Sequence, residues 1–348
     1  MKPGLTVIVV FRDGEAILRR CLESIKEIAS EIVAVNTGCT DGCVDVAKAF
    51  GARIFDFPWS DAFDEAYNFA FDKVETEWTF WLDSDEWLVP NSRSLLEKAI
   101  EYDAGFAYTV IREDELDDVR ISEMRQPRLW RTHPLMRLEG VIHCQFPRQA
   151  LIDAAGGRKL IHTELRIRHD GFKGGISKEK LKRNLILLEK ELALRPGRLY
   201  FEVAYCENLL LLEDQRGVAL LHALLPKAFS SDSRPEEICG GLLAAGLRVG
   251  LPKEFTIIRA NEIEIKWFSA SPNVMWELAT AYFREQQYIE AVVPINLLWK
   301  MATTKNYSRH GLSDPDVLGS ALGNLMVNVG RRIGDVEMLN RGERLCVS

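Results

Sequence analysis

What this 348-residue sequence lacks already removes several classes of protein. No apolar run approaches the roughly 20 residues needed to cross a bilayer. Met1–Gly4 leads directly into a strand-like stretch with no signal-peptide pattern, so a cytoplasmic protein without a transmembrane segment is expected. Positive charge is not in excess: 44 Lys plus Arg stand against 51 Asp plus Glu, a net charge of −7. Phosphate-backbone binding needs a basic face, so a nucleic-acid partner is not favoured. There is no G-x-x-x-x-G-K-[ST] and no G-x-G-x-x-G between a strand and a helix, which disfavours a P-loop NTPase or a dinucleotide-binding dehydrogenase. G-x-S-x-G and H-E-x-x-H are also missing. Cysteines number seven (Cys21, Cys39, Cys43, Cys144, Cys206, Cys239, Cys346), odd and scattered, which reads as reduced thiols rather than a disulfide framework. Cys39 and Cys43 lie four apart, but no second Cys/His pair completes a zinc set.

What is present is a globular composition, 47% hydrophobic and 27% charged, of a length that suggests two domains. Strand-like and helix-like periods alternate through the first half. The expected strands are Leu5–Phe11, Glu31–Val35, Ala52–Phe57 and Glu77–Leu82; the expected helices are Glu15–Ala29, Asp41–Phe50 capped by Thr40, Asp64–Lys73, and Ser92–Tyr102 capped by Asn91. Such alternation predicts an α/β fold with a mainly parallel sheet and helices on both faces. Gly105–Ile111, Arg128–Arg131 and Arg158–Arg168 read as further strands extending it as a mixed sheet.

After Gly174-Gly175 the texture becomes helical, beginning with a helix capped by Ser177 and stopped at Pro196-Gly197. The expected domains are therefore 1–175 and 176–348. In the second, Met275, Leu278, Ala279, Tyr282, Tyr288 and Ala291 follow the large-and-small spacing of a tetratricopeptide helix pair, while Trp267, Trp276 and Trp299 read as core residues.

Ligands of an open α/β sheet bind beyond the carboxyl ends of its strands. There the sequence places Arg12-Asp13-Gly14-Glu15, Asn36-Thr37-Gly38 and Asp83-Ser84-Asp85-Glu86. The last is the most informative, because three carboxylates follow the buried-looking strand Trp78–Leu82. Two carboxylates ~4 Å apart repel by about 4 kcal/mol at an effective dielectric near 20. A hard divalent cation bound through oxygen relieves this, so Asp-x-Asp after a buried strand reads as a Mg2+ or Mn2+ site open to substrate phosphates. A solvated strand-end turn is the plainer reading of an isolated Asp-x-Asp.

These residues also carry a resemblance. Arg20–Ile25, Glu31–Gly42, Phe57-Pro58-Trp59, Asn68-Phe69-Ala70 and Trp81–Glu86, in that order and spacing, resemble family 2 glycosyltransferases of the GT-A fold, especially a bacterial subgroup that continues into tetratricopeptide-like helices. The likeness extends through Pro127–Arg131, Gly140–His143, His169–Phe172 and Arg183-Asn184-Leu185. It implies inverting transfer of a sugar from a nucleoside diphosphate donor, commonly a UDP-sugar. By the same resemblance Asp83, Asp85 and His169 would hold Mn2+ or Mg2+, and Phe11, Asp13, Asn36, Gly38, Asp41, Asn68, Asp83 and Ser84 would form the donor pocket. The acceptor is left open among protein or peptide, saccharide and modified nucleobase, with the helical domain binding acceptor or a partner protein.

Five positions depart from that subgroup: Asn36 for Asp, Asp13 and Gly14 where Asp13-Gly14-Glu15 replaces Asn-Glu-Glu, Tyr67 for Arg, and Cys144 for a Glu suited to act as general base. Candidate bases are then Glu86, His143 and Asp170. The missing Glu motivates an alternative, a non-catalytic nucleotide-sugar-binding scaffold; a sugar nucleotidyltransferase shares the same sheet and metal logic.

Overall fold

The computed structural model describes residues 4–102, 104–115, 121–171, 176–229, 242, 246–247, 272–304 and 315–347. Phe172, the Gly174-Gly175 boundary, Cys239 and Trp267 lie outside the described residues. The backbone forms two compact units, Met1–Leu116 with Met124–Gly175 and Asp117–Glu123 with Ile176–Ser348.

In the first unit, strand β1 (Leu5–Phe11) is almost wholly apolar and buried because it is flanked on both sides. It pairs in parallel with β2 (Glu31–Asn36) and β4 (Trp78–Asp83), and β3 (Arg53–Asp56) continues from β2. With β5 (Glu86–Leu88), β6 (Gly105–Glu115), β7 (Ile121–Arg131) and β8 (Lys159–His169), the sheet has eight strands in the order β3-β2-β1-β4-β7-β6-β8-β5. β7 is antiparallel to β4, and β5 to β8, while β6 and β8 are parallel. This is the α/β mixed sheet expected from the alternating pattern.

Side chains alternate across the sheet, as a period of two requires. Leu5, Val7, Val9 and Phe11 pack on one face with α1 (Glu15–Ile25), α2 (Cys43–Ala49) and α4 (Arg93–Glu101), through Leu18, Leu22, Val46 and Leu96. Ile8, Val33 and Val35 pack on the other with α3 (Phe63–Phe71) and α5 (Arg148–Ala155), through Tyr67, Phe71 and Ala154. The chain runs outward from β1 to β3, then returns to lay β4 on the opposite side of β1, so strand order reverses at β1. Registers Phe11↔Asn36, Val10↔Asp83 and Asn36↔Asp56 bring the ends of all four strands level.

Local details differ from the sequence expectation for physical reasons. Helix α2 starts at Cys43 with Gly42 at its cap position; Thr40 instead donates its N–H and hydroxyl to Asp13. Asn91 is not a cap: Pro90–Ser92 form a 3-10 turn, and the Ser92 hydroxyl accepts from the Arg166 N–H at 2.7 Å. The three-residue strand β5 and the helix α5, which buries only Ala154, are not among the elements expected from the sequence.

From Ile176 onward the described residues of the second unit are helical or in turns. Ser177 caps α6 (Lys178–Leu194), its hydroxyl accepting from the Lys180 N–H at 3.2 Å. Then follow α7 (Leu199–Leu211), α8 (Gln215–Phe229), α9 (Pro272–Arg284), α10 (Tyr288–Thr304), α11 (Ser320–Ile333) and α12 (Val336–Val347). Ala279 of α9 and Ala291 of α10 are both fully buried in one core, against which Trp276 and Trp299 pack. Among the described residues, no helix is long and apolar enough to cross a membrane.

Candidate active site

At the ends of β1 and β2, two turns are locked together by carboxylates. Gly14 takes φ +116°, a left-handed conformation that glycine adopts without strain, and opens α1. Asp41 accepts from the Gly14 N–H at 2.7 Å and the Glu15 N–H at 3.0 Å through one oxygen. Its other oxygen accepts from the Cys43 N–H and the Cys39 thiol, both at 3.0 Å. Hydrogen bonds from the Cys43 and Cys39 side chains, then from the Gly14 amide, hold Asp41 well below the usual carboxylate range. Asp13 reciprocates by accepting from the Thr40 N–H at 2.7 Å.

Asn36 builds the second turn: its side-chain oxygen accepts from the Gly38 and Cys39 N–H groups at 3.1 and 2.8 Å. Its amide nitrogen donates to Asp56 at 2.8 Å. An aspartate at 36 would face Asp56 without a proton to share, which gives the asparagine a physical reason. Gly38 has φ +104° and open space where a Cβ would stand, and Phe11 is buried beneath the turns.

Beyond β4 the acidic turn is braced by an arginine that sequence reasoning missed. Arg128, 1% exposed, donates to Glu86 at 2.9 Å and Asp83 at 3.3 Å, and lies 3.9 Å over the Trp81 ring. Asp83 also accepts from the Tyr67 hydroxyl and from Trp81 Nε1 at 3.0 Å. Tyr67, where the resembling subgroup carries a cation, thus supplies a neutral donor to the same carboxylate. Glu86 accepts from the Asp83 N–H at 2.9 Å and is 0% exposed; burial pushes it up to about 7 against the pull of Arg128. A carboxylate sealed in this way braces the turn and does not meet an acceptor hydroxyl. The charge of the turn is therefore offset in part by Arg128, where the sequence suggests a metal cation.

Asp85 is placed differently, with its side chain 38% exposed. Its Oδ2 lies 3.3 Å from His169 Nε2, while His169 Nδ1 lies 2.6 Å from Asp114 Oδ1. The contact exists because Glu86 pairs with His169 across β5 and β8, and Asp114 with His169 across β6 and β8. Arg112 Nε holds Asp114 at 2.9 Å. Burial opposes a charge on His169, but the hydrogen bonds that Asp114 and Asp85 accept from its ring outweigh it and raise the imidazole to about 9.

The residues fit a divalent cation. A carboxylate oxygen and an imidazole nitrogen converge, and the carboxylate on the far nitrogen fixes ring orientation, as in metal-bound histidines. Gly171 leaves the approach clear: a Cβ there would stand 2.4 Å from His169 Nε2 and 3.1 Å from Asp85 Oδ2. Ser84 lies half-buried in the same turn. Asp170 accepts from Arg20 at 2.7 Å, and that guanidinium stacks 3.7 Å from the Trp87 ring centroid.

Other expected site residues have different surroundings. Asn68 donates to the Leu138 carbonyl and accepts from the Leu138 N–H, both at 2.9 Å, pinning that backbone. His143 is exposed at φ +53°, and the Cys144 thiol donates to the Gly140 carbonyl at 2.9 Å.

Residues 6–156 match the family described as "Glycosyl transferase family 2". A TPR repeat-containing protein of Synechococcus elongatus is 30% identical over 139 residues, covering 40% of this chain and 34% of that protein. The SPbeta prophage-derived glycosyltransferase SunS of Bacillus subtilis is 22% identical over 209 residues, covering 54% and 45% respectively. The chain thus spans less than half the length of either relative. Among solved structures, S. aureus TarS 1-349 in complex with UDP-GlcNAc has a TM-score of 0.40 at 10% identity, covering 98% of this chain and 90% of that one. Glucosyl-3-phosphoglycerate synthase from Mycobacterium tuberculosis with Mn2+, UDP and glucosyl-3-phosphoglycerate gives 0.39 at 13%, covering 55% and 79%.

Proposed function

The N-terminal domain belongs to glycosyl transferase family 2, and from that premise we propose that this chain is a metal-dependent inverting glycosyltransferase acting in the cytoplasm. Its donor is a nucleoside diphosphate sugar, preferably a UDP-sugar, and its acceptor is a protein or peptide, a saccharide or a modified nucleobase. The observation that carries the reading is the 3.3 Å approach of Asp85 Oδ2 to His169 Nε2 beyond the ends of the central strands.

In this reading Asp85 and His169 hold Mn2+ or Mg2+, and Asp83, fastened to Arg128, keeps the turn in place. When bound, the cation supplies Lewis-acid stabilisation to the departing diphosphate oxygen, so no protein acid is needed on that side. The turns carrying Asp13, Asn36, Gly38 and Asp41 receive the nucleoside over Phe11. Asp170, oriented by Arg20, takes the proton of the acceptor hydroxyl. The residues 176–348 serve acceptor or partner-protein recognition.

The test is a screen of nucleotide sugars with Mn2+ or Mg2+, reading thermal stabilisation and nucleoside diphosphate release. Stabilisation with release by one donor family is expected. Stabilisation without hydrolysis or transfer on a broad acceptor panel would instead support a binding scaffold. Pyrophosphate release from a nucleoside triphosphate and a sugar phosphate would support a nucleotidyltransferase.

A further inference from the structure

We propose that Cys39, Asp41 and Cys43 form a second metal site, distinct from Asp85 and His169, that takes a thiophilic divalent cation of the zinc class in the turn between β2 and α2. The two Sγ atoms and a carboxylate oxygen of Asp41 all lie within 4.8 Å of one another. Cys39 Sγ is already 3.0 Å from Asp41 Oδ1. With Zn–S near 2.3 Å and Zn–O near 2.0 Å, the edges of a tetrahedral site measure about 3.5–3.8 Å, so small side-chain rotations complete the set. The fourth position is left for water.

The chemistry of the donors separates this site from the other. Two thiolate sulfurs select zinc over Mg2+ or Mn2+, which prefer oxygen donors such as carboxylates and water. The local charge also suits a cation. Glu15 Oε2 lies against Gly42, the residue between Asp41 and Cys43, and would stand 2.6 Å from a Cβ there. A second carboxylate therefore borders the cluster. Oxidation to a disulfide is the competing fate of two neighbouring thiols, but it begins from a thiolate, and thiolates form beside cationic groups rather than carboxylates. A bound cation reverses that situation by deprotonating its thiol ligands outright.

The placement has a structural consequence. Asp41 also receives the Gly14 and Glu15 N–H groups, and Asp13 receives Thr40, so the cluster sits where the turns after β1 and β2 are fastened together. Occupancy would stiffen that joint. Metal binding itself does not depend on the glycosyltransferase reading, since its test is spectroscopic.

The experiment is Co2+ titration of the reduced full chain in saturating Mg2+, reading the near-ultraviolet thiolate-to-cobalt charge-transfer band and its loss on adding Zn2+. The band is expected in the unmodified chain, expected to vanish in Cys39→Ser, and expected to persist in Asp85→Asn, whose site contains no sulfur. Cys39 is half-buried, so its serine variant tests the site even where Cys43→Ser, at a fully buried position, fails to fold. Protection of Cys39 from alkylation by Zn2+, read by peptide mass, is the second measurement. A reduced chain with no band, a band that survives in Cys39→Ser, or Cys39 alkylation unaffected by Zn2+ overturns the proposal.

Discussion

Arg128 Nη2 donates to Glu86 Oε1 at 2.9 Å between side chains that are 2% and 0% exposed, and the same nitrogen reaches Asp83 Oδ2 at 3.3 Å. Removing one member of such a buried pair strands the other's charge. Arg128→Met is expected to lower stability by about 3–5 kcal/mol. Arg128→Met with Glu86→Gln should recover more than half of that loss. Urea denaturation of the two variants measures it, and a double variant no better than the single one would show that the pair is not the brace.

Asp85→Asn leaves the brace intact while removing the exposed carboxylate at His169. Donor turnover should fall about 100–1000-fold, the scale of several kcal/mol of Lewis-acid stabilisation. The carboxylate's pairing with the buried His169 ring is lost as well, so stability should fall by no more than about 1 kcal/mol. Chelation should abolish the turnover of the unmodified chain, and Mn2+ or Mg2+ should restore it.

Asp114 touches the far nitrogen of His169 at 2.6 Å and acts on a cation only through that ring. Asp114→Asn should weaken Mn2+ binding about 10–100-fold, the usual effect of losing a ligand's orienting carboxylate. Calorimetric titration with Mn2+ reads this without any acceptor. Unchanged affinity would remove His169 as a ligand.

Gly171→Ala introduces a methyl group 2.4 Å from His169 Nε2. The ring must turn away, and a displacement on the order of 1 Å costs about 100-fold in catalysis. The expected signature is lost turnover and weakened Mn2+ binding in a chain that still unfolds in a single cooperative transition.

In the helical unit, α11 and α12 approach through two glycines: a Cβ on Gly323 would stand 2.7 Å from the Gly342 carbonyl, and one on Gly342 would stand 2.7 Å from the Gly323 carbonyl. Gly323→Ala should cost about 1–3 kcal/mol by overpacking. Thermal unfolding followed by circular dichroism tests it, and a variant as stable as the parent would mean that the helices separate without penalty.

The strands from Leu5 to Asp83, the helices between them and the Ser177 cap were legible because each is written in a short stretch: alternation or helical spacing, a capping side chain, a glycine stop. The acidic turn was legible for the same reason, being four consecutive residues after one apolar strand. The sequence by itself thus determined the alternating architecture and where charge gathers at its edge. Only the tertiary structure decided which charges meet. Arg128 and Glu86 are 42 residues apart, His169 and Asp114 55, and Arg20 and Asp170 150. Those meetings follow from the β4–β7, β6–β8 and β5–β8 pairings. Register between distant strands is set by packing across the whole sheet, and it leaves no periodic trace in either strand alone.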